Sequence, residues 1–459
     1  MKPRQGSARV PEKLTNWSGN YVFGARRVHY PESVDEVRGL VAGCAKARTL
    51  GSRHSFNGIA DCTEDLISLE RLDRIVTLDR ERRQVTIEGG VRYGALCRYL
   101  NGEEFALHNL ASLPHISVAG ACATATHGSG DDNGCLATAV AALEIVKADG
   151  ELARVSREEN PEDFAGAIVA LGGLGVVTKL TLDVSPAFTM RQDVYDGLSI
   201  AKIEDHFDAV MSSGYSVSLF TDWRSGTFGQ VWIKRRIVDG DEFQPPTELF
   251  GALPAPDHRH PIGGISAENC TDQMGIAGAW HERMPHFRMD FTPSCGEELQ
   301  SEYLVPRRHA WPAIRAVERL SDRIAPLLQI SEIRSIAADG FWMSPFYNQA
   351  CVGIHFTWLK DWEAVRILLP EIEEALAPFD ARPHWGKLFT MVPEHVQSLY
   401  ARLPDFRRLL LHYDPKGKFR NGFLDAYVGR DQSTKGVVGA VILSPALLTM
   451  VTNTGSTAT

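Results

Sequence analysis

The sequence lacks the apolar runs, cysteine pairs and targeting segments that mark several common classes of protein. No stretch approaches the roughly 20 consecutive apolar residues of a membrane helix, and the start, residues 1–5, has no signal-peptide core. The eight cysteines form no C-x-x-C pair, which argues against structural zinc. We therefore expect a cytoplasmic protein with free thiols, no metal and no membrane contact.

Positive charge is also in short supply. Lys and Arg number 48 against 57 Asp and Glu, so the net charge is −9, and the phosphate backbone of a nucleic acid would be repelled. A small neutral substrate is not excluded by this charge. The 459 residues exceed one ordinary core, so we expect two domains, in a monomer.

What the chain does contain is two stretches of small, polar and Gly residues, TLGSRHSFNG at 49–58 and ASLPHISVAG at 111–120, the latter continuing to Gly130. Backbone N–H groups in such turns can point at an anion, so two of them in one domain predict a large diphosphate cofactor held from two sides. His54 lies within the first stretch, and a neutral imidazole with an ordinary pKa of about 6.5 is a good nucleophile.

Three other motifs are rejected. The glycine run at 172–175 lacks the third glycine of a dinucleotide fingerprint, since Thr178 stands there, and it precedes a strand instead of following one. Residues 128–130 lack the G-x-S-x-G spacing of a serine hydrolase. His258 and His260 lie in a Pro-rich segment without a third metal ligand.

Beyond about residue 188 the segments alternate polar and apolar residues, which predicts a sheet. Side chains alternate between the two faces of a strand, so Glu332 and Arg334 share one face of the predicted strand at 330–336. His355 and Thr357 likewise share one face of the predicted strand at 352–358. Residues 384–387, His-Trp-Gly-Lys, are expected to form a third polar-faced strand. These polar-faced strands could line a water-filled pocket for hydroxyl-rich ligands, or they could form a solvent-facing sheet surface with a Glu–Arg pair. The residues alone do not decide between the two interpretations.

The motifs at 51–55, 87–93, 117–120 and 126–128 resemble the vanillyl-alcohol-oxidase-type family of FAD enzymes. Within it, the chain resembles the alditol (xylitol) oxidases, close relatives of the sugar-lactone oxidases, from about Trp17 to Phe423. The resemblance implies an α+β, two-domain FAD-binding fold with a mixed-sheet substrate cap. It places the FAD-binding domain at 1–187, the cap at 188–394 and a return to the FAD-binding domain at 395–430, before a loosely ordered tail at 431–459.

The resemblance also implies how FAD is held. His54 would bond covalently to the flavin 8α-methyl group. The other cofactor-binding residues would be Thr49, Leu50, Gly51, Ser52, Arg53, Ser55, Ala111, Ser112, Ser117, Gly120, Thr124, Ala125, Thr126, His127, Val176, Val177 and His384.

For the substrate, the same resemblance assigns catalytic roles to Lys387, Arg334, Glu332 and His355. Arg334 and Lys387 would contact the reacting C1 hydroxyl and lower its pKa, and Glu332 would accept hydrogen bonds from the C1 and C2 hydroxyls. Ser112 and Thr357 would bind further hydroxyls, and His355 would orient this set.

The expected reaction is oxidation of the terminal hydroxyl of xylitol or sorbitol, by hydride transfer to flavin N5, with O2 reduced to H2O2. The small residue Ala111 would admit O2. Two alternatives stay open: a sugar-1,4-lactone oxidase or dehydrogenase of the same fold, and a flavin-dependent reductase or a flavin-binding protein without oxidase activity.

Overall fold

The computed structural model describes residues 13–238, 240, 243–289 and 296–429. The predicted tail at 431–459 lies outside the described residues. Strands of the first part of the chain are short. They are β1 Arg27–His29, β2 Ala47–Leu50, β3 Asp65–Ser68, β4 Ile75–Asp79, β5 Gln84–Glu88, β6 Phe105–Ala106, β7 Val140–Val146, β8 Leu152–Ser156, β9 Val176–Asp183 and β10 Ser185–Pro186.

These strands form small sheets. In one sheet β3 lies between β1 and β2, and both pairs are parallel. A five-stranded sheet has the order β4-β5-β9-β7-β8 and pairs its strands antiparallel, while β6 pairs with β10. β9 begins directly after the glycine run at 172–175, which confirms that this run precedes a strand.

Four helices accompany these sheets: α1 Val34–Gly43, α2 Tyr93–Gly102, α3 Val118–Ala123 and α4 Pro161–Ala167. α1 begins where Ser33 accepts a hydrogen bond from the Glu36 backbone N–H, a standard N-cap. Its apolar positions, including Val37 and Val41, are buried against the sheets. α1 and β2 lead directly into the glycine-containing stretch that carries His54.

The second part of the chain builds one large sheet. Its strands are β11 Thr189–Ser199, β12 Ser216–Thr221, β13 Thr227–Ile237, β14 Leu253–Pro254, β15 Gly278–Ala279, β16 Glu298–Pro306, β17 Leu328–Ile336, β18 Cys351–Leu359 and β19 Arg382–Pro383. Their order is β14-β11-β13-β12-β17-β18-β16-β19, with β15 beside β11.

Every strand pair of this large sheet that the structure describes is antiparallel, so the prediction of a mixed sheet is wrong in that respect. Alternation in a sequence locates strands but carries no information about their direction. Direction follows from the connections, and β12–β13 and β17–β18 are sequential neighbours that pair antiparallel without a crossover helix.

Seven helices belong to this second part and to the end of the described chain. They are α5 Phe207–Met211, α6 Ala310–Glu318, α7 Ser321–Ile324, α8 Trp362–Leu376, α9 Pro393–Ser398, α10 Leu403–Tyr413 and α11 Gly422–Tyr427. α8 buries an apolar stripe that includes Val365, Leu369 and Ile372. The α+β class is thus confirmed. Among the described residues, no helix combines the length and apolar character needed to cross a membrane.

The last described segment packs against the first part of the chain. Asn421 donates from its side chain to the backbone carbonyls of Gly58, Ile59 and Asp61, and the Ala47 N–H donates to the Lys418 carbonyl. The first and last parts of the chain therefore form one packed unit.

Candidate active site

A cavity of about 560 Å³ lies between the His54 loop (residues 49–58), a second loop (residues 111–130) and one face of the large sheet. Its size is in the range of small-molecule and cofactor sites. Most of the residues that the resemblance assigns to FAD or substrate line this cavity, and they come from segments far apart in sequence.

The His54 loop directs an imidazole into this cavity. Arg53 adopts a left-handed backbone conformation, with φ of 63°, which sharply turns the chain just before His54. The Trp17 ring stacks on the imidazole with 5.4 Å between ring centroids. Burial, and secondarily the nearby Lys387 charge, lowers the pKa of His54 to about 4, so the ring is neutral at neutral pH.

Two features of these loops fit a bound diphosphate cofactor such as FAD. His54 Nδ1 is buried and has no hydrogen-bond partner among the described residues. A Cβ at Gly51 or Gly120 would lie only 2.8 or 2.7 Å from Ser117 Oγ. The backbone can approach the Ser117 side chain this closely because glycine stands at both positions. Backbone N–H groups in glycine-containing turns of this kind can face an anion.

The predicted cofactor residues divide into two groups. Ala125 and Val176 are buried in the core, outside the cavity lining. The rest line the cavity: Thr49, Leu50, Gly51, Ser52, Arg53, His54, Ser55, Ala111, Ser112, Ser117, Gly120, Thr124, Thr126, His127, Val177 and His384.

The large sheet presents its polar residues to this cavity as a row. Pairing of β16, β18 and β17 sets Glu302, His355 and Glu332 directly opposite one another. Gln300 and Thr357 form the adjacent pair on the same face. Residues opposite one another share a face of a sheet, so the register alone brings these side chains together.

Arg334 reaches across this row to a carboxylate that the sequence reading did not single out. Its Nη2 donates to Glu302 Oε1 at 3.1 Å, and its Nη1 donates to Ser112 Oγ at 3.4 Å. Arg334 is paired with Gly353 on β18, where a Cβ would lie 3.1 Å from Glu302 Oε1. The missing side chain at 353 thus leaves room for the guanidinium to meet Glu302.

Glu302 gathers positive and imidazole groups around it. His127 Nε2 lies 3.1 Å from Oε1, and His355 Nδ1 lies 3.3 Å from Oε2. Burial alone would raise the pKa of Glu302, but His127, Arg334 and His355 hold it well below its usual range. Glu302 is therefore ionised. His127, predicted as a cofactor residue, thus also contacts the sheet carboxylate.

Glu332 is held in a similar way. His286 Nε2 lies 2.8 Å from Glu332 Oε1, and Arg334 Nε lies 3.6 Å from the same oxygen. Burial alone would raise the pKa of Glu332, but Arg334 and His286 lower it well below its usual range. The carboxylate is ionised, so it can only accept hydrogen bonds, and substrate hydroxyls can donate to it.

The segment predicted as a third polar strand is a turn. β19 ends at Pro383, and the chain then turns so that Lys387 N–H donates to the His384 carbonyl at 3.0 Å. The turn is fixed because the His384 Nδ1 accepts from the Gly386 N–H at 3.0 Å. Its glycine places Lys387 close to the His54 loop: the Gly386 carbonyl accepts from the Phe56 N–H at 2.8 Å.

Lys387 is the ammonium nearest this polar row. It donates to the Gln300 side-chain oxygen and lies 5.1 Å from the centre of the Phe56 ring. Burial lowers the pKa of Lys387 to about 8, although Glu302 and Glu298 act to raise it. Gln300 in turn donates to Glu298, so the amide presents its oxygen to Lys387.

All the predicted substrate residues, Ser112, Glu332, Arg334, His355, Thr357 and Lys387, line this one cavity. The sequence reading missed Glu298, Gln300, Glu302 and His286, which line it too. A signal for the first three was present, since they alternate with other residues along β16 as Glu332 and Arg334 do on β17. Nothing in the local sequence marks His286.

Comparison with known proteins agrees with this arrangement. A family model described as an FAD binding domain matches residues 25–156, and one described as D-arabinono-1,4-lactone oxidase matches residues 291–427. An alditol oxidase from Streptomyces sp. (strain IKD472 / FERM P-14339) is 48% identical over 414 residues, covering 90% of this chain and 98% of the relative. The L-gulonolactone oxidase of Mus musculus is 33% identical, over 90% of this chain and 97% of its own.

A more distant relative, the L-gulono-1,4-lactone dehydrogenase of Mycobacterium tuberculosis (strain ATCC 25618 / H37Rv), is 26% identical over 90% of this chain and 99% of its own. Among solved structures, cholesterol oxidase from B. sterolicum superposes with a TM-score of 0.74 at 14% identity, covering 93% of this chain and 98% of that chain. This likeness shows the same fold and confirms the predicted FAD-binding architecture. The chain belongs to the vanillyl-alcohol-oxidase-type family of FAD flavoproteins, and within it to the group that contains the alditol oxidases.

Proposed function

We propose that the protein oxidises the terminal hydroxyl of an alditol such as xylitol or sorbitol to the aldose, with O2 reduced to H2O2. One observation carries the proposal: the row Glu302–His355–Glu332, with Arg334 beside it, faces the His54 loop across a single cavity. The relative at 48% identity, named as an alditol oxidase, supports the same substrate class.

Bound FAD supplies the acceptor for the hydride at its N5 atom. Arg334 and Lys387 contact the C1 hydroxyl and stabilise the negative charge that develops on its oxygen. Arg334 is buried and Lys387 is half-buried, and both are held in place, Arg334 by Glu302 and Lys387 by Gln300. Their positions are therefore set before substrate arrives, which is how preorganised charge accelerates a reaction.

Further hydroxyls of the polyol bind to the remaining polar groups. Glu332 accepts from the C1 and C2 hydroxyls, and Ser112 and Thr357 bind hydroxyls farther along the chain. His355, placed between Glu302 and Thr357, orients this set; its Nε2 lies 3.3 Å from Thr357 Oγ1. A substrate with several hydroxyls satisfies more of these groups than a simple alcohol does, which favours polyols.

Reoxidation by O2 is supported by the small side chain at Ala111. This residue lines the cavity next to Ser112. A methyl group leaves more room there than any larger side chain would.

We also propose that FAD is bonded covalently through His54. The neutral imidazole, its partnerless buried nitrogen and its placement in the cavity support this bond. The His54→Ala variant, precipitated with acid, is expected to release its flavin into the supernatant. Wild type and the exposed control His412→Ala should keep yellow flavin in the pellet. Flavin that stays with precipitated His54→Ala protein would rule out this linkage.

The alternative activity is oxidation of a sugar-1,4-lactone. It is favoured by the match of residues 291–427, which include Glu302, Glu332, Arg334 and Lys387, to a model described as D-arabinono-1,4-lactone oxidase. Peroxide formation with L-gulono-1,4-lactone but not with xylitol would select this activity.

The deciding experiment is anaerobic mixing of the holoprotein with a panel of polyols, lactones and NADPH while flavin absorbance is followed. Rapid bleaching by xylitol or sorbitol, reversed with peroxide formation on admitting air, is expected. Bleaching by NADPH alone would select a reductase and contradict the proposal.

For the molecule as a whole we propose FAD-binding segments at 1–187 and 395–430 around a substrate domain at 188–394, in a cytoplasmic monomer. The large sheet, from Thr189 to Pro383, and the contacts of Asn421 with the first part of the chain support this division. Sedimentation at a mass near 50.7 kDa is expected. A dimer mass would contradict the monomer.

A further inference from the structure

Lys234 on β13 is a buried cation outside the groups assigned to substrate. Only 1% of its surface is exposed. Its ammonium nitrogen lies 2.6 Å from the Met284 carbonyl, 2.9 Å from the Pro285 carbonyl and 3.1 Å from His286 Nδ1. An ammonium has three N–H donors, so these acceptors use all of them.

These contacts fix the proton on His286. Burial lowers the pKa of His286 to about 4, so the ring is neutral. The ionised Glu332 can only accept a hydrogen bond, so the ring proton lies on Nε2 and Nδ1 accepts from Lys234. Nε2 is the atom that lies 2.8 Å from Glu332 Oε1. Hydrogen bonds therefore run in one direction, from Lys234 to His286 to Glu332.

The imidazole is also held against rotation. Its ring meets the Phe220 and Trp232 rings edge-on, with 5.5 and 5.2 Å between centroids. Thr271 fixes the backbone that carries the imidazole. The Thr271 N–H donates to the His286 carbonyl at 2.9 Å, and the Thr271 hydroxyl donates to the Pro285 carbonyl at 2.8 Å. The ring can thus neither swing away from Glu332 nor exchange its two nitrogens.

Placing an ammonium here is costly. Burial lowers the pKa of Lys234 to about 7, with Glu332 and Cys270 acting to raise it and Arg334 to lower it. Removing a charge from water is costly in proteins, and a methionine of similar volume at position 234 would avoid that cost. Of the three compensating contacts, the one with His286 leads on to Glu332, the carboxylate that is proposed to bind the C1 and C2 hydroxyls.

The geometry points to Lys234 and His286 as positioning residues for substrate specificity: together they hold Glu332 by its Oε1 atom. The contacts of His286 and Arg334 with Glu332 both use Oε1. Oε2 is thereby presented to adjacent hydroxyls of the substrate. This inference rests on the proposed polyol oxidation, and it concerns the vicinal hydroxyl at C2, not the chemical step at C1.

The test compares two substitutions at one position. His286→Gln keeps an acceptor toward Lys234 and a donor toward Glu332, whereas His286→Leu keeps neither. In the anaerobic reductive half-reaction, we expect the dissociation constant for xylitol to rise about tenfold in His286→Leu and less than twofold in His286→Gln. Lys234→Met should behave as His286→Leu does. For 1,3-propanediol, which keeps the C1 hydroxyl but has none at C2, the rise in His286→Leu and Lys234→Met should be clearly smaller than the rise for xylitol.

A double-mutant cycle separates positioning from general damage to the fold. If Lys234 acts through Glu332, Lys234→Met should add little to the xylitol defect of Glu332→Gln. Additive defects, or equal losses with xylitol and 1,3-propanediol, would overturn the inference. If wild type itself is not bleached by any polyol, the proposed function fails instead. The two failures are thus distinguishable.

Discussion

The ammonium of Lys387 lies between the His54 loop and the polar row of the large sheet, with a pKa lowered by burial to about 8. If its charge stabilises the reacting oxygen, the active form is the protonated one, which is lost as pH rises through that value. We expect kcat/KM of wild type to fall above about pH 8. Arginine stays charged, so this limb should be absent in Lys387→Arg.

Replacing Lys387 by an uncharged residue is expected to lower activity more than raising the pH does. Lys387→Met should remain yellow and folded, because the flavin loops are untouched, but its turnover should fall by about 100-fold or more. The exposed control Lys416→Met should behave as wild type. Near-normal turnover in Lys387→Met, measured by stopped-flow flavin reduction, would refute the role assigned to this lysine.

Gly353 provides a second residue-scale prediction. A methyl group there would lie 3.1 Å from Glu302 Oε1 and 3.3 Å from a Leu304 methyl carbon, so the carboxylate must shift by a few tenths of an ångström. We expect Gly353→Ala to lower kcat/KM about tenfold, since small misplacements of charged groups are costly.

The matched control is Gly229→Ala on β13 of the same sheet, where the nearest atom to a new Cβ is the Phe220 carbonyl oxygen at 3.9 Å. It should leave kcat/KM unchanged and the melting temperature equal or slightly higher. Equal losses in both variants would show that the sheet, and not Glu302, is responsible for the effect.

At the scale of elements, the His54 loop and the turn bearing Lys387 are joined directly. Asn57 donates from its amide nitrogen to the Trp385 carbonyl at 2.9 Å and to the Lys387 carbonyl at 2.8 Å. Its side-chain oxygen accepts from the Ile59 N–H and begins a short helical turn. Asn57, together with the bond from the Phe56 N–H to the Gly386 carbonyl, thus holds the turn bearing Lys387 against the His54 loop.

Asn57→Ser keeps a side-chain oxygen for the cap but removes the amide nitrogen that donates to the Trp385 and Lys387 carbonyls. We expect it to lose about 2 kcal/mol of stability, from two hydrogen bonds of about 1 kcal/mol each, and to reduce the fraction of acid-stable flavin. Thermal melting and flavin in the acid pellet measure the two effects. Unchanged flavin attachment in a destabilised variant would contradict the link between the turn and the loop.

The same elements show what could be predicted from sequence. Period-two alternation was sufficient to place Glu332 with Arg334, and His355 with Thr357, on single faces of β17 and β18. The joining of these pairs through Glu302 depends on the register of β16 against β18. Register is set by side-chain packing between strands distant in sequence, which a single sequence does not display.

The prediction of a strand at 384–387 fails for another reason. Its polar and apolar residues alternate as in a strand, but the His384 side chain bonds to the Gly386 N–H and bends the backbone. Local side-chain hydrogen bonds compete with sheet pairing, and alternation cannot reveal which of the two wins. The His54 loop was easier to predict because its composition and its place after a short strand both mark a turn.

At the scale of the whole molecule, Arg48 ties together segments from the beginning, middle and end of the described chain. Only 2% of it is exposed, and its guanidinium donates to the carbonyls of Ile59, Leu171, Gly172 and Phe419. Ile59, Leu171 and Gly172 line the cavity beside the His54 loop, as Arg48 does. The Arg48 side chain therefore connects the segments that form this side of the cavity.

Arg48→Met leaves several buried carbonyls unpaired, at about 1–3 kcal/mol each. We expect a loss of at least about 3 kcal/mol in unfolding free energy, with less FAD incorporated into the purified protein. The exposed Arg82→Met should keep both. Chemical denaturation and the ratio of flavin to protein absorbance provide the measurements, and full retention of FAD by Arg48→Met would contradict this role.

The packing of Asn421 onto Gly58, Ile59 and Asp61 also bears on biosynthesis. A ribosome makes residues near 58 some 363 positions before it makes position 421, a delay on the order of twenty seconds to a minute. Throughout that interval the nascent segment at 58–61 lacks its hydrogen bonds from Asn421. If FAD is bonded through His54 as proposed, we expect attachment to follow synthesis of position 421, so that a cell starved of riboflavin accumulates complete but colourless chains.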